Sequence, residues 1–449
     1  MTMKRALAAP FTFLSLLLVV STSTHASDAD RLGKDLTPVG AEMAGNPEGT
    51  IPRWEGGLAK TPDAFDETTG YRDPFAADTP LFTITAANAD AHKDKLTDGQ
   101  LAMLRRYANT WKVQVYPTRR SASYPEEVYE GIRWNAEHTE LLESGNGITE
   151  AKMATPFPIP ESGLEVLWNH LLRYRGKSVQ RNNAGANVQA GGDYVINKNN
   201  DTYIYNPHYR DDGTEEGNML FRYTQVRVAP AREAGTVSLI HDTVNQVKSP
   251  RQSWVYTPGQ RRVRRAPTVS YDTPTAGGLM TIDDVDMFNG APDRFDWELI
   301  GKKEVYVPYN SYKFASRENS YKDIIQPGHV NPKLLRYELH RVWHVRAKLK
   351  DGNLHLYSQR DFYFDEDTYQ ILVADSRDTR GELWRFAESY VINYYDQPLL
   401  WTAGETQHDL LSGRYTINWL AHEEPPVRFN VPVDISEFTP ARLRLSGVR

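Results

Sequence analysis

The chain has 449 residues, no cysteine and a formal net charge of −6. That length can bury a large core, as one big domain or two or three smaller ones. The missing cysteine excludes disulfides and a thiol nucleophile, and the acidic balance argues against nucleic acid as a partner.

The first 26 residues carry an export signal. Lys4 and Arg5 give a basic start, and residues 6–20 are apolar apart from Pro10, Thr12 and Ser15. Residues 21–26 are small and polar, ending in Thr24-His25-Ala26. This order predicts a secretory signal peptide over residues 1–26, cleaved near Ala26, and the apolar run is too short for an ordinary membrane span. A lipoprotein would need a cysteine at the new N-terminus, and the chain has none. Without Lys4 and Arg5 the remaining chain sits near −8. No later stretch approaches 18 apolar residues, so no further segment is expected to span a membrane as a helix. The expected location is the periplasm.

Residues 27–84 read as an extended N-terminal arm, with turns at Asn46-Pro47, Gly56-Gly57 and Asp73-Pro74. Residues 85–449 read as one domain, a helical block over 85–175 followed by an antiparallel sheet over 193–449. Thr97 and Gln100 form a capping box ahead of Leu101, Leu104, Tyr107 and Trp111 at helical spacing. A second helix starts at Pro125 and runs to about Glu143, before Gly145. A third, over residues 164–174, places Leu164, Leu167, Leu171 and Tyr174 on one side. Residues 180–192 (QRNNAGANVQAGG) read as a Gly/Asn/Ala loop.

From Asp193 the pattern is that of strands. Residues 220–228 and 236–247 are two of them, and 253–256 begins a third that resumes after Pro258-Gly259. The clearest lies over residues 337–349. Its odd positions are Tyr, Leu, Arg, Trp, Val, Ala and Leu, and its even positions are polar but for Val342. That predicts a half-buried antiparallel strand with a solvated polar face. Turns at Asp351-Gly352, 365–368 and 378–381 then link strands over 354–364, 369–374 and 383–395 into a meander. The last fifty residues predict short aromatic strands broken by prolines. Helices followed by a long sheet give an α+β fold, in which helices cover the apolar face of a large curled antiparallel sheet, a half-barrel.

Several strings resemble one family. They are Leu36-Thr37-Pro38-Val39-Gly40-Ala41-Glu42, Gly49-Thr50-Ile51-Pro52-Arg53-Trp54-Glu55-Gly56-Gly57-Leu58, the run from Trp254 to Arg265, Asp283-Asp284, and Trp297-Glu298-Leu299-Ile300-Gly301-Lys302-Lys303. They resemble the exported proteins of domain-of-unknown-function family 1329, related to LolA/LolB-like lipoprotein-sorting carriers. The resemblance implies a LolA/LolB-like half-barrel whose helices plug the concave side and leave an apolar cavity. It also implies carriage of lipid-like molecules across the periplasm beside resistance–nodulation–division (RND) exporters.

Candidate ligand-binding residues follow from this reading. Arg261, Arg262, Arg264 and Arg265 place four guanidinium groups in five positions. They form either a solvated or ion-paired strand end, with Asp283, Asp284 and Asp286 one short connection later to supply partners, or a basic rim for a phosphate or carboxylate head group. Trp254, Tyr256, Trp297, Trp343, Trp384, Phe386 and Tyr390 lie on or beside strands and either pack the core or line a cavity. Trp384, Phe386, Tyr390, Ile392 and Tyr394 are expected to share one buried face. His340 and His344, roughly 13 Å apart on a strand, are too far apart for one ion and are expected to be solvated. Asp365-Glu366-Asp367 reads as a turn, with weak calcium binding there or at Asp283-Asp284-x-Asp286 as an alternative. No Gly-x-Ser-x-Gly, phosphate-loop, dinucleotide or His-Glu-x-x-His signature occurs. The sequence and the resemblance therefore predict a non-enzymatic periplasmic carrier of a hydrophobic ligand, with no cofactor and no metal, and with either an inner-membrane exporter, an RND-type one among the candidates, or an outer-membrane protein as its partner. The alternatives are an exported carbohydrate binder or glycoside-active enzyme, and an outer-membrane barrel; the helical block and 27 prolines speak against the barrel.

Overall fold

The computed structural model describes residues 29–58, 70–210, 213–266 and 271–446. The predicted signal peptide lies outside them. Helix α1 (Asp98–Arg106) starts at the predicted capping box: the Thr97 side chain accepts from the Gln100 N–H, and the Gln100 side chain accepts from the Thr97 N–H. Helix α2 (Glu126–His138) follows Pro125, and its terminus at Thr139 comes earlier than predicted. Helix α3 (Gly163–Leu172) buries eight of its ten residues, so it is a plug inside the molecule rather than an amphipathic surface helix.

The sheet has 16 strands among the described residues. They are β1 (Phe82–Ile84), β2 (Val113–Val115), β3 (Ser178–Val188), β4 (Ile196–Tyr205), β5 (Met219–Ala229), β6 (Val237–Thr243), β7 (Gln252–Thr257), β8 (Arg262–Arg265), β9 (Phe295–Pro308), β10 (Tyr337–Leu349), β11 (Gln359–Asp365), β12 (Ile371–Arg377), β13 (Leu383–Tyr394), β14 (Leu399–Asp409), β15 (Tyr415–Leu420) and β16 (Arg428–Phe429). The order is β1-β2-β10-β11-β12-β13-β14-β15-β3-β4-β5-β6-β7-β8, with β9 paired to β10 and β16 to β3. All pairings are antiparallel except a single parallel β2–β10 contact. The fold is α+β: a large curled sheet left open as a half-barrel, with α2 and α3 on the face that also holds the cavity described below.

The predicted meander is present as β10–β13. The predicted loop over 180–192 is instead mostly strand β3, at the centre of the sheet between β15 and β4. Its Asn, Gly and Ala residues have poor strand propensity, and the ladders on both sides override it. Small residues are needed there: a Cβ on Gly185 would sit 2.9 Å from the Ile417 carbonyl oxygen.

The core has two faces. Val166, Leu167 and Trp168 of α3 pack with Phe362, Phe364, Ile392 and Trp401 on one. Met103 and Leu104 of α1 pack with Phe386, Tyr390, Val391 and Ile417 on the other. The single buried face expected for β13 is therefore divided. The β13–β14 ladder slips by one residue between Tyr390 and Val391. Phe386 and Tyr390 pack in one core, and Ile392 and Tyr394 in the other.

The polar face of β10 is buried, contrary to the solvated face predicted. His340 is 2% and His344 9% exposed. His340 Nε2 lies 3.1 Å from Glu338 and His344 Nε2 lies 2.8 Å from Asp361. Tyr309 stacks on His340 at 3.9 Å and Tyr363 on His344 at 4.7 Å. The N-terminal arm meets Arg120 and Arg341 instead. Arg120 donates to the carbonyls of Glu42 and Met43, and Arg341 to those of Glu42 and Ala44. Alternation in the sequence marks the two faces of a strand but not what covers each.

Glu388, beneath α1, accepts hydrogen bonds from the Tyr337 and Tyr390 hydroxyls. Burial pushes its carboxyl up to about 7 from 4.5. The folded state therefore holds a proton that the unfolded chain releases above about 4.5. This contribution to stability is complete below that pH and is lost as pH rises through 7. Glu388→Gln removes the titration. Urea unfolding should show the stability of wild type relative to the variant falling by roughly 3 kcal/mol between pH 4.5 and 8. A difference that does not change with pH contradicts this assignment.

Candidate functional site

Beyond the reach of α3, strands β3–β6, β14 and β15 and the segment 275–289 line a half-open cavity of about 830 Å³. Its aromatic wall follows from strand geometry. Tyr203 and Tyr205 are two apart on β4, and Phe221 and Tyr223 two apart on β5, so each pair faces one way. The register sets Tyr203 opposite Tyr223 and Tyr205 opposite Phe221. The Tyr203 and Tyr223 rings stack at 4.3 Å, and Tyr205 meets Phe221 edge-on at 5.7 Å. Trp401 and Trp419 continue the wall, with Asn183, Asn199 and Gln225 as its amide fringe.

The base of the cavity is charged. Asp286 accepts from Arg173 and from Arg175, each at 2.6 Å. Burial alone would raise the Asp286 carboxyl, but the two arginines hold it well below the usual carboxylate range. Glu405 is pushed well above its ordinary value by burial, with the Asp286 charge adding to the effect. His170 lies 3.0 Å from the Asp286 carbonyl oxygen, and burial and Arg173 push its imidazole well below 6.5. Two carboxyls shifted in opposite directions therefore sit at the base of the cavity.

None of the predicted ligand-binding residues lines this cavity. Trp254 and Tyr256 join a small third core beneath the C-terminal helix Pro440–Ser446, with Phe438 and Leu443. Trp297 stacks on Phe362 at 5.8 Å. Trp343 lies under the Lys302 ammonium, and Trp384 under the Arg385 guanidinium. Phe386 and Tyr390 are core residues on the face away from the cavity. Arg261, Arg262, Arg264 and Arg265 are exposed at the β8 edge and form no ion pair among the described residues. The aspartates expected as their partners are used elsewhere. Asp283 and Asp284 pair with Arg360, Asp284 also lies near Arg385, and Asp286 pairs with Arg173 and Arg175. Those arginines are buried near the aspartates, whereas β8 is an edge strand whose exposed charges blunt pairing with other chains.

Residues 83–444 match the family described as "Protein of unknown function (DUF1329)". The chain belongs to the DUF1329 family. An uncharacterized protein of Pseudomonas aeruginosa is 51% identical over 441 residues, covering 97% of each chain. Among solved structures, a DUF1329 family protein from Desulfovibrio piger is similar at 16% identity and a TM-score of 0.42, over 60% of this chain and 92% of that one. A LolA superfamily protein from Nitrosomonas europaea is similar at 13% identity and a TM-score of 0.37, over 62% and 98%.

A second cluster in this DUF1329 protein brings His340, Asp365 and Asp367 within 4.8 Å of one another. Arg120 already donates to both Asp367 oxygens, at 2.9 and 2.6 Å. The turn 365–367 is an ion-pair clasp for the N-terminal arm, a role the sequence does not reveal because Arg120 is far away in the chain.

Asp286 sits at φ 57°, a left-handed conformation that Asn also tolerates. Asp286→Asn thus removes charge with little change in backbone preference and leaves two buried guanidinium groups unpaired. It should cost about 3–5 kcal/mol in denaturant unfolding. A loss below 1 kcal/mol contradicts the assigned pairing.

Proposed function

We propose that this DUF1329 protein is an exported periplasmic carrier that shelters a lipid-like or other hydrophobic ligand in its cavity and passes it to a membrane partner, an RND-type exporter. The observation that carries the reading is the aromatic-walled cavity on the part of the sheet that α3 leaves uncovered. Its volume of about 830 Å³ falls within the roughly 300–1,000 Å³ of ligand sites. Burying an apolar chain gains roughly 0.8 kcal/mol per methylene, so a carrier working in water needs an enclosed hollow rather than a surface patch. The predicted signal peptide supports the location. No helix among the described residues is long and apolar enough to cross a membrane. The membrane partner is inferred from the family resemblance alone.

One observation favours the carbohydrate reading: Glu405, pushed up by burial, and Asp286, held down by its arginines, share a cavity fringed with amides. Against catalysis of that kind, each Asp286 oxygen already accepts an arginine hydrogen bond at 2.6 Å, which opposes action as nucleophile or base.

The mature protein, purified without detergent and stripped of bound molecules, should bind the neutral probe N-phenyl-1-naphthylamine at about one site per chain, with a blue-shifted emission. Ile240→Trp, which fills part of the cavity, should weaken binding at least tenfold while unfolding remains cooperative. Absence of probe binding, together with hydrolysis of aryl glycosides, contradicts the carrier and favours the enzyme.

A further inference from the structure

Eight arginines are buried among the described residues: Arg120, Arg173, Arg175, Arg181, Arg336, Arg341, Arg360 and Arg385. Seven form ion pairs. Arg181, on β3, is the exception. It is 2% exposed, and its Nε, Nη1 and Nη2 atoms are all buried without a hydrogen-bond partner among the described residues. Its guanidinium lies against two indoles that form one corner, 4.5 Å from the Trp401 ring centroid and 4.7 Å from that of Trp419, with the two centroids 6.2 Å apart. Both indoles line the cavity.

The nearest acid does not relieve this. Asp201 is the cross-strand neighbour of Arg181, but its oxygens accept instead from Asn183 at 2.6 Å, Tyr223 at 3.0 Å and Gln225 at 3.2 Å. Five N–H donors are left unspent in a site without water contact. Contact with two rings recovers about 2 kcal/mol at best per ring, which does not replace the lost hydrogen bonds of a buried cation.

One of the two rings is held unusually. Strand β15 slips in register against β3 between Ile417 and Leu420, and Trp419 at that slip has φ 65°. An irregularity of this kind breaks strict alternation, so neighbouring Asn418 and Trp419 both line the cavity. A bulky residue with left-handed backbone is strained, and such strain gathers at ligand sites and switch points. Trp419, together with Trp401, thus separates the hollow from an unsatisfied positive charge, and of the two it is the strained one.

We propose that Arg181 anchors an anionic head group, a carboxylate or phosphate on an otherwise apolar ligand, which reaches it when the Trp419 ring turns aside. The guanidinium fork accepts two oxygens of such a group in charge-assisted hydrogen bonds, and the aromatic wall takes the apolar body. Asn183, Gln225 and the unpartnered Oδ1 of Asn199 stand beside the anchor to meet further polar atoms. This inference rests on the carrier reading and adds the ligand's charge to it.

The test compares cis-parinaric acid with its methyl ester, both fluorescent and sharing one chain, on the stripped full-length mature protein. Wild type should bind the acid at least tenfold more tightly than the ester. In Arg181→Met, which keeps a side chain against the indoles but removes the charge, the ratio should fall to about one with ester affinity unchanged. Trp419→Ala should keep the preference and speed association of the acid. Should Arg181→Met lose cooperative unfolding, the wild-type ratio and the Trp419→Ala rates decide. Equal binding of acid and ester by wild type overturns the anchor and leaves the carrier standing. Binding of neither overturns the carrier. Displacement of the acid by millimolar inorganic phosphate overturns the amphiphile and assigns Arg181 to a free anion.

Discussion

A sheet of 16 strands offers more apolar face than one ten-residue helix can cover, and an uncovered face must close on itself or enclose something else. Helix α3, led by Trp168, fills the hollow beneath β9–β13. Past its end, strands β3–β6 curl over empty space and present stacked aromatic rings to it. The cavity is a consequence of this mismatch between a wide sheet and a short plug. Its position in the chain, after the Gly/Asn-rich strand β3, follows from where the plug stops.

Charge is handled differently in the two halves of the molecule. Around α3 and β10–β12, buried arginines meet carboxylates at short range, and these pairs tie distant segments together: Arg120 joins the turn at 365–367 to the N-terminal arm, and Arg360 joins β11 to Asp283 and Asp284. Such pairs gain little net stability against apolar replacements, but leaving one half alone is costly, so they restrict which segments can lie together. Near the cavity the pairing is incomplete. Burial pushes the Glu405 carboxyl well up, and Arg181 has aromatic faces in place of a carboxylate.

Much of the fold was legible. The Thr97–Gln100 capping box, the Pro125 helix start and the 337–394 meander can be read from spacing, because caps, turns and period-two patterns are local. The string QRNNAGANV was illegible as a strand because its neighbours on both sides, β15 and β4, make it one. The histidines of β10 read as solvated because the rings and carboxylates that bury them, Tyr309, Tyr363 and Asp361 among them, come from other segments. The cavity was only partly legible. Tyr203-x-Tyr205 and Phe221-x-Tyr223 show the alternation of a strand face, but which aromatic face stays unplugged depends on the length of α3 and the curl of the sheet. The arginine string 261–265 drew attention by its density alone, whereas Arg181 is a single residue whose meaning lies in the absence of an acceptor around it.

A crystal structure of the protein taken directly from the exporting cell, without detergent or stripping, tests the hollow most directly. Continuous elongated density along Tyr203, Phe221 and Trp401, ending near Trp419, is the predicted result. A cavity that holds only scattered water, or one closed by contact between Phe221 and the segment at 282–285, would contradict it.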